Sequence, residues 1–161
     1  MKPTRIPAVL VAIALALLAA STVAAAQLKS PDDVKTVLRL IVQVSNDFKR
    51  QITNKNFKGV PREYMEFTEG ADALRGVTKD EPAAFKSKVE TRLQAALAAY
   101  KKVSDMSATT PDADKLMAEL VNKAVPKMNA IFDLFPADLR PDPNAPAGGG
   151  RGLRDLQNKK Q

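Results

Sequence analysis

The chain has 161 residues, no cysteine, no histidine and a formal net charge of +7. Lacking thiol and imidazole, it can have no Cys or Ser-His nucleophile system, no disulfide, no thiolate- or imidazole-ligated metal and no C-x-x-C-H haem attachment. Acid–base work near neutrality would fall to Asp, Glu, Lys or Tyr, so the expectation is a protein that is not an enzyme.

The chain opens with Lys2 and Arg5 before an apolar run over 6–20, then small residues ending in Ala24-Ala25-Ala26 before Gln27. A charged start, a short apolar stretch and an A-x-A site read as a secretory signal peptide over 1–26. Cleavage is expected after Ala26, with Ala24 or Ala25 as alternatives. The run is short of the roughly 20 strongly apolar residues that a membrane span needs. Export to the periplasm or to the outside is therefore expected. Removing 26 of 161 residues leaves 135, enough for one domain with its own core. Lys2 and Arg5 leave with the leader, taking the net charge from +7 to +5.

In the remaining chain Pro31, Pro61, Pro82 and Pro111 each stand where a helix would begin, because the first helical position needs no N–H. Ser30 reads as a hydroxyl N-cap, followed by Asp32 and Asp33 in the first turn. Val34, Val37, Leu38, Ile41, Val44 (with Ser45 beside it), Phe48 and Ile52 recur at three- and four-residue steps. The β-branched run Leu38 to Val44 can also be read as a strand. The cap and the continuing period favour one helix over 31–53. Residues 53–60 read as a loop. After Pro61 a shorter stripe of Tyr64, Phe67, Ala71 and Leu74 ends at Gly76, read as the terminator. The internal Gly70 costs about 1 kcal/mol relative to Ala.

Thr78 to Glu81 has capping-box spacing, with Asp80 as the alternative cap. Phe85, Val89, Leu93, Ala96, Leu97, Tyr100 and Val103 then form the cleanest stripe in the chain. Thr110 reads as the cap of the last helix, whose apolar side is Leu116, Met117, Leu120, Val121, Ala124, Met128, Ile131, Phe132 and Phe135. Pro126 within it removes a bond to the Asn122 carbonyl and should kink or split the helix. From 137 onward Pro, Gly and basic residues dominate, so 137–161 reads as a disordered, basic-ended tail. The fold expected for 27–136 is all-α, an up-down-up-down four-helix bundle. Its expected core is Val37, Ile41, Phe48, Phe67, Leu74, Phe85, Val89, Leu93, Leu97, Tyr100, Leu120, Ile131 and Phe135.

Each constellation that could carry chemistry also has a plainer reading. Met106, Met117 and Met128 are spaced by 11, and thioethers ligate copper or haem iron, yet Met also fills helical cores. Glu63, Glu66, Glu69 and Asp72 form an acidic row that could hold a hard cation; with Tyr64, Phe67, Ala71 and Leu74 claiming the buried side, the row is expected to face solvent. Tyr64 and Tyr100 could be haem ligands, but both lie on apolar stripes. Lys86, Lys88, Arg92, Lys101 and Lys102 could meet an acidic partner or anionic headgroups, with Asp80, Glu81, Glu90 and Asp105 interleaved among them.

The stretch Phe132-Asp133-Leu134-Phe135-Pro136-Ala137-Asp138 is similar to the helix-ending Leu-Phe-Pro segment of periplasmic cytochrome c-prime type bundles. The resemblance implies a four-helix fold, a periplasmic location and a haem pocket between the helices. This chain departs from that pattern by lacking both the C-x-x-C-H motif and an axial His. The leading expectation is thus an exported, non-enzymatic binding module without a cofactor or metal. Its expected partner is a protein or other envelope component, with weak contact to an anionic membrane surface and none to nucleic acid. The alternative is a c-prime-like bundle that keeps a haem or small-molecule pocket for electron transfer or ligand binding.

Overall fold

A computed structural model describes residues 30–142; the expected leader over 1–26 and most of the expected tail lie outside them. The described residues form helices and turns, with no strand among them. Helix α1 spans Pro31–Thr53 as one piece, the β-branched run included. Leu38, Ile41, Val42, Val44, Ser45 and Phe48 are all buried along it, so helical packing overrides the strand preference of single residues. A 3-10 turn, Phe57–Gly59, leads into α2, Val60–Val77. Helix α3 spans Ala83–Thr109. The fourth rod consists of α4 (Ala113–Glu119), a π-helical turn (Leu120–Ala124) and α5 (Val125–Phe132). α1 packs on α2, α2 on α3, α3 on the π turn and α5, and α4 returns to α1. The ring encloses one apolar core.

Pro126 produces the disruption its chemistry demands, in a specific form. The amide of Val125 reaches back five residues to the Leu120 carbonyl, and the widened turn lets Pro126 sit in the first turn of α5, where no N–H is needed. Gly70 is explained by proximity. It is buried where α1 and α2 meet, and a Cβ there would lie 3.1 Å from Ile41 Cγ1.

Several local expectations are corrected. Ser30 makes no side-chain cap bond. Thr78 and Asp80 do not cap α3: Thr78 Oγ1 donates to the Leu74 carbonyl at 2.8 Å and closes α2, while the Pro82 carbonyl receives the amides of Phe85 and Lys86. Gly76 lies inside α2, which runs on to Val77. At the fourth rod the cap is Asp112 rather than Thr110. Of the expected core, Phe85 and Leu97 are only half buried, each packed against the core's edge, and all the others are buried. Val121, expected on the apolar side, is exposed. The expected tail begins too early: Ala137–Leu139 is a 3-10 turn, Leu139 is buried against the bundle, and the turn packs on α1. Arg140 fastens it by donating to the carbonyls of Phe135 and Asp133 and to the Asp133 carboxylate. No helix among the described residues is long and apolar enough to cross a membrane.

Candidate functional site

Three places hold polar groups in unusual settings: the centre of the core, the α1–α2 seam, and the end of the bundle that carries the α1–α2 and α3–α4 connections.

At the centre, Tyr100 is fully buried. Phe67 stacks on its ring at 4.0 Å between centroids and Phe48 meets it edge-on at 5.0 Å. The phenol donates to Ser45 Oγ at 2.7 Å, and Met128 Sδ lies 3.4 Å from the same oxygen. Burial pushes the phenol far above its ordinary pKa, with the Ser45 bond opposing. The group therefore stays neutral, and a neutral phenol already engaged by a hydroxyl is a poor iron ligand. Met128 is held in the same cluster, while Met106 and Met117 are half buried at the core's edge. Tyr64 is likewise half buried.

The acidic row does not face solvent as a unit. Glu63 is buried, with only 4% of its surface exposed. The reason is geometric: three residues advance about 300° around a helix, so each step along the row turns about 60° short of a full circle. Glu63 lies four residues before the buried Phe67 and so falls on the core face, whereas Glu69 and Asp72 have rotated into solvent. Glu63 Oε1 accepts from Gln51 Nε2 at 2.7 Å, and Gln51 Oε1 in turn accepts from Asn56 Nδ2 at 2.7 Å. Glu63 Oε2 is buried and has no hydrogen-bond partner among the described residues. Asp47, also buried, pairs with Arg50 at 2.9 Å, and Glu66 pairs with Arg62 at 3.1 Å. Burial is the main cause that raises the carboxyl pKa values of both Glu63 and Asp47. Gly59 serves this network, since a Cβ there would stand 2.8 Å from the Gln51 amide carbon and oxygen. Among the described residues no group of three or more acidic side chains is placed to hold a metal ion.

At the loop end an open cleft of about 370 Å³ is lined by Lys55, Phe57, Pro111, Asp112, Ala113 and Asp114. Lys55 is held there at φ 55°. Asp112 is committed to the start of α4: its Oδ1 accepts from the amides of Asp114 and Lys115, both at 3.1 Å. The Lys115 amide is the first cause that holds the Asp112 carboxyl below its usual range. The cleft is large enough for a single side chain, and it is lined by one lysine and two carboxylates, one of which is engaged at the start of α4.

Sequence reasoning singled out Tyr100, Met128 and Glu63 but not their joining to Ser45, Gln51, Asn56 and Asp47. The signal for Glu63 was its place four residues before Phe67. Nothing in the local residue pattern marks the four partners, because Ser45 and Gln51 are chosen by residues on other helices and Asn56 by a turn. No protein-family model, curated protein or solved structure matches the chain.

Proposed function

We propose that this chain is an exported, non-enzymatic binding module, an up-down-up-down four-helix bundle that meets a protein or other envelope partner through its surface. The observation that carries this reading is the packing at the bundle's centre. Tyr100, Phe48 and Phe67 fill the space between the helices, all at 0% exposure. A haem pocket of the c-prime kind would need that volume, and opening it by losing buried aromatic rings costs about 3–5 kcal/mol per ring. The polar groups also support a binding role over catalysis: Tyr100 is locked neutral, and Asp112 in the loop-end cleft is engaged in capping α4.

Native mass spectrometry of the chain purified from its own host tests the reading. The expected result is the polypeptide mass less residues 1–26, with no prosthetic group, accompanied by a co-purifying partner. A stoichiometric haem or metal adduct would overturn it.

A further inference from the structure

The basic residues divide between ion pairs and solvent. On α3 and the fourth rod nearly every carboxylate is matched: Glu90 with Arg75 at 2.8 Å, Asp105 with Lys101 at 2.8 Å, and Glu119 with Lys102 at 2.9 Å. Four exposed cations on the same two rods, Lys88, Arg92, Lys123 and Lys127, take part in no ion pair or hydrogen bond among the described residues.

Their register brings them to one face. α3 and the fourth rod run side by side between two fixed contacts, Lys102 with Glu119 at one end and Phe85 against Phe135 at 5.5 Å at the other. On α3, Lys88, Arg92, Ala95, Ala99 and Lys102 recur at steps of four, three, four and three, which is one stripe of a helix. On the fourth rod, Lys123 and Lys127 follow Glu119 at steps of four on the side that meets Lys102. The two stripes flank the same seam, about 8–10 Å apart as packed helices are. Between the cations α3 offers only the small Ala95 and Ala99, so the charged ends stand above a low floor.

We infer that this α3–fourth-rod face docks on an anionic phospholipid surface, with Lys88, Arg92, Lys123 and Lys127 meeting the phosphate headgroups. The charge is uncompensated, and two packed rods side by side present it as a broad face rather than a pocket. The inference deepens the binding-module reading by naming a partner class, and it rests on that reading only in taking the outer surface as the working part. Each cation near an anionic bilayer contributes roughly a fivefold gain in partitioning.

The test is co-sedimentation with vesicles of two parts phosphatidylcholine to one part phosphatidylglycerol, using the chain purified from its own host. Binding is expected at low salt, and it should vanish with pure phosphatidylcholine or at about 1 M salt, where the screening length falls to about 3 Å. Lys123→Gln with Lys127→Gln should weaken binding roughly 25-fold. Arg39→Gln with Lys58→Gln, which remove the same charge from exposed sites on α1 and the 3-10 turn, should change it far less. All four sites are exposed, so circular dichroism should report unchanged folding in both double variants. Equal loss in the two pairs, or binding that survives high salt, would overturn the proposal. So would binding to soluble polyphosphate with none to vesicles. Failure here would leave a cofactor-free native mass untouched, whereas a haem adduct in that mass would leave a vesicle result standing.

Discussion

At the scale of single residues the buried carboxyl of Glu63 sets the sharpest expectation. Burial raises its pKa from the ordinary 4.5, and neighbouring Glu66 and Asp47 add to the rise. The Gln51 hydrogen bond and Arg50 oppose it. A raised folded-state pKa means that the folded chain holds this proton more tightly than the unfolded chain does. The contribution to stability is therefore complete below the unfolded value and is lost as pH rises through the folded one. Glu63→Gln removes that titration while keeping the shape. In urea unfolding series at several pH values, the variant's stability relative to the parent should improve as pH rises above the ordinary 4.5 and level off once the folded-state carboxyl has ionised. A difference that stays flat across that range would mean that Glu63 is solvated in the folded chain. Asp47 titrates in the same direction, with Arg50 opposing and Glu66 reinforcing, so some pH dependence should survive in the variant.

At the scale of elements, hydrophobic periodicity located every rod, because a 3.6-residue repeat survives whatever lies across from it. The ends of the rods were less legible. Ser30, Thr78 and Thr110 all carry hydroxyls in capping positions, yet a hydroxyl can equally bond back to a carbonyl four residues earlier, as Thr78 does to Leu74. A carboxylate competes better for the first amides of a helix, and Asp112 takes that place from Thr110 at α4. Asp112→Ala should therefore lower the melting temperature, whereas Thr110→Ala should leave it unchanged within error. The Asp112 effect should fade as pH falls through its depressed pKa, since the protonated carboxyl is the weaker acceptor. The reverse ranking would return the cap to Thr110. The π turn was legible only as a disturbance at Pro126, because nothing in the residue pattern says whether a helix bends, breaks or widens to accommodate a proline.

For the whole molecule, the candidate site was harder to read than the fold because its polar partners come from different helices. Ser45 and Tyr100 are 55 residues apart, and Gln51 meets Glu63 across a turn. Composition misplaced the domain's end for a related reason: Pro and Gly after Phe135 suggested that packing stops there, yet a single apolar residue was enough to carry it further. Leu139 closes on the bundle at 6% exposure, and Arg140 ties the segment back to Phe135 and Asp133. Burying one leucine contributes about 1.5–3 kcal/mol, which is a sizeable part of a small domain's stability. Two truncations separate the readings. Deleting 137–161 should destabilise the chain by about 2 kcal/mol more than deleting 143–161, measured by urea unfolding under identical conditions. Leu139→Ala in the full chain should account for most of that difference, because it empties the same contact while keeping the backbone turn. If both truncations unfold at the same urea concentration, the bundle ends at Pro136 and Leu139 adds nothing to its core.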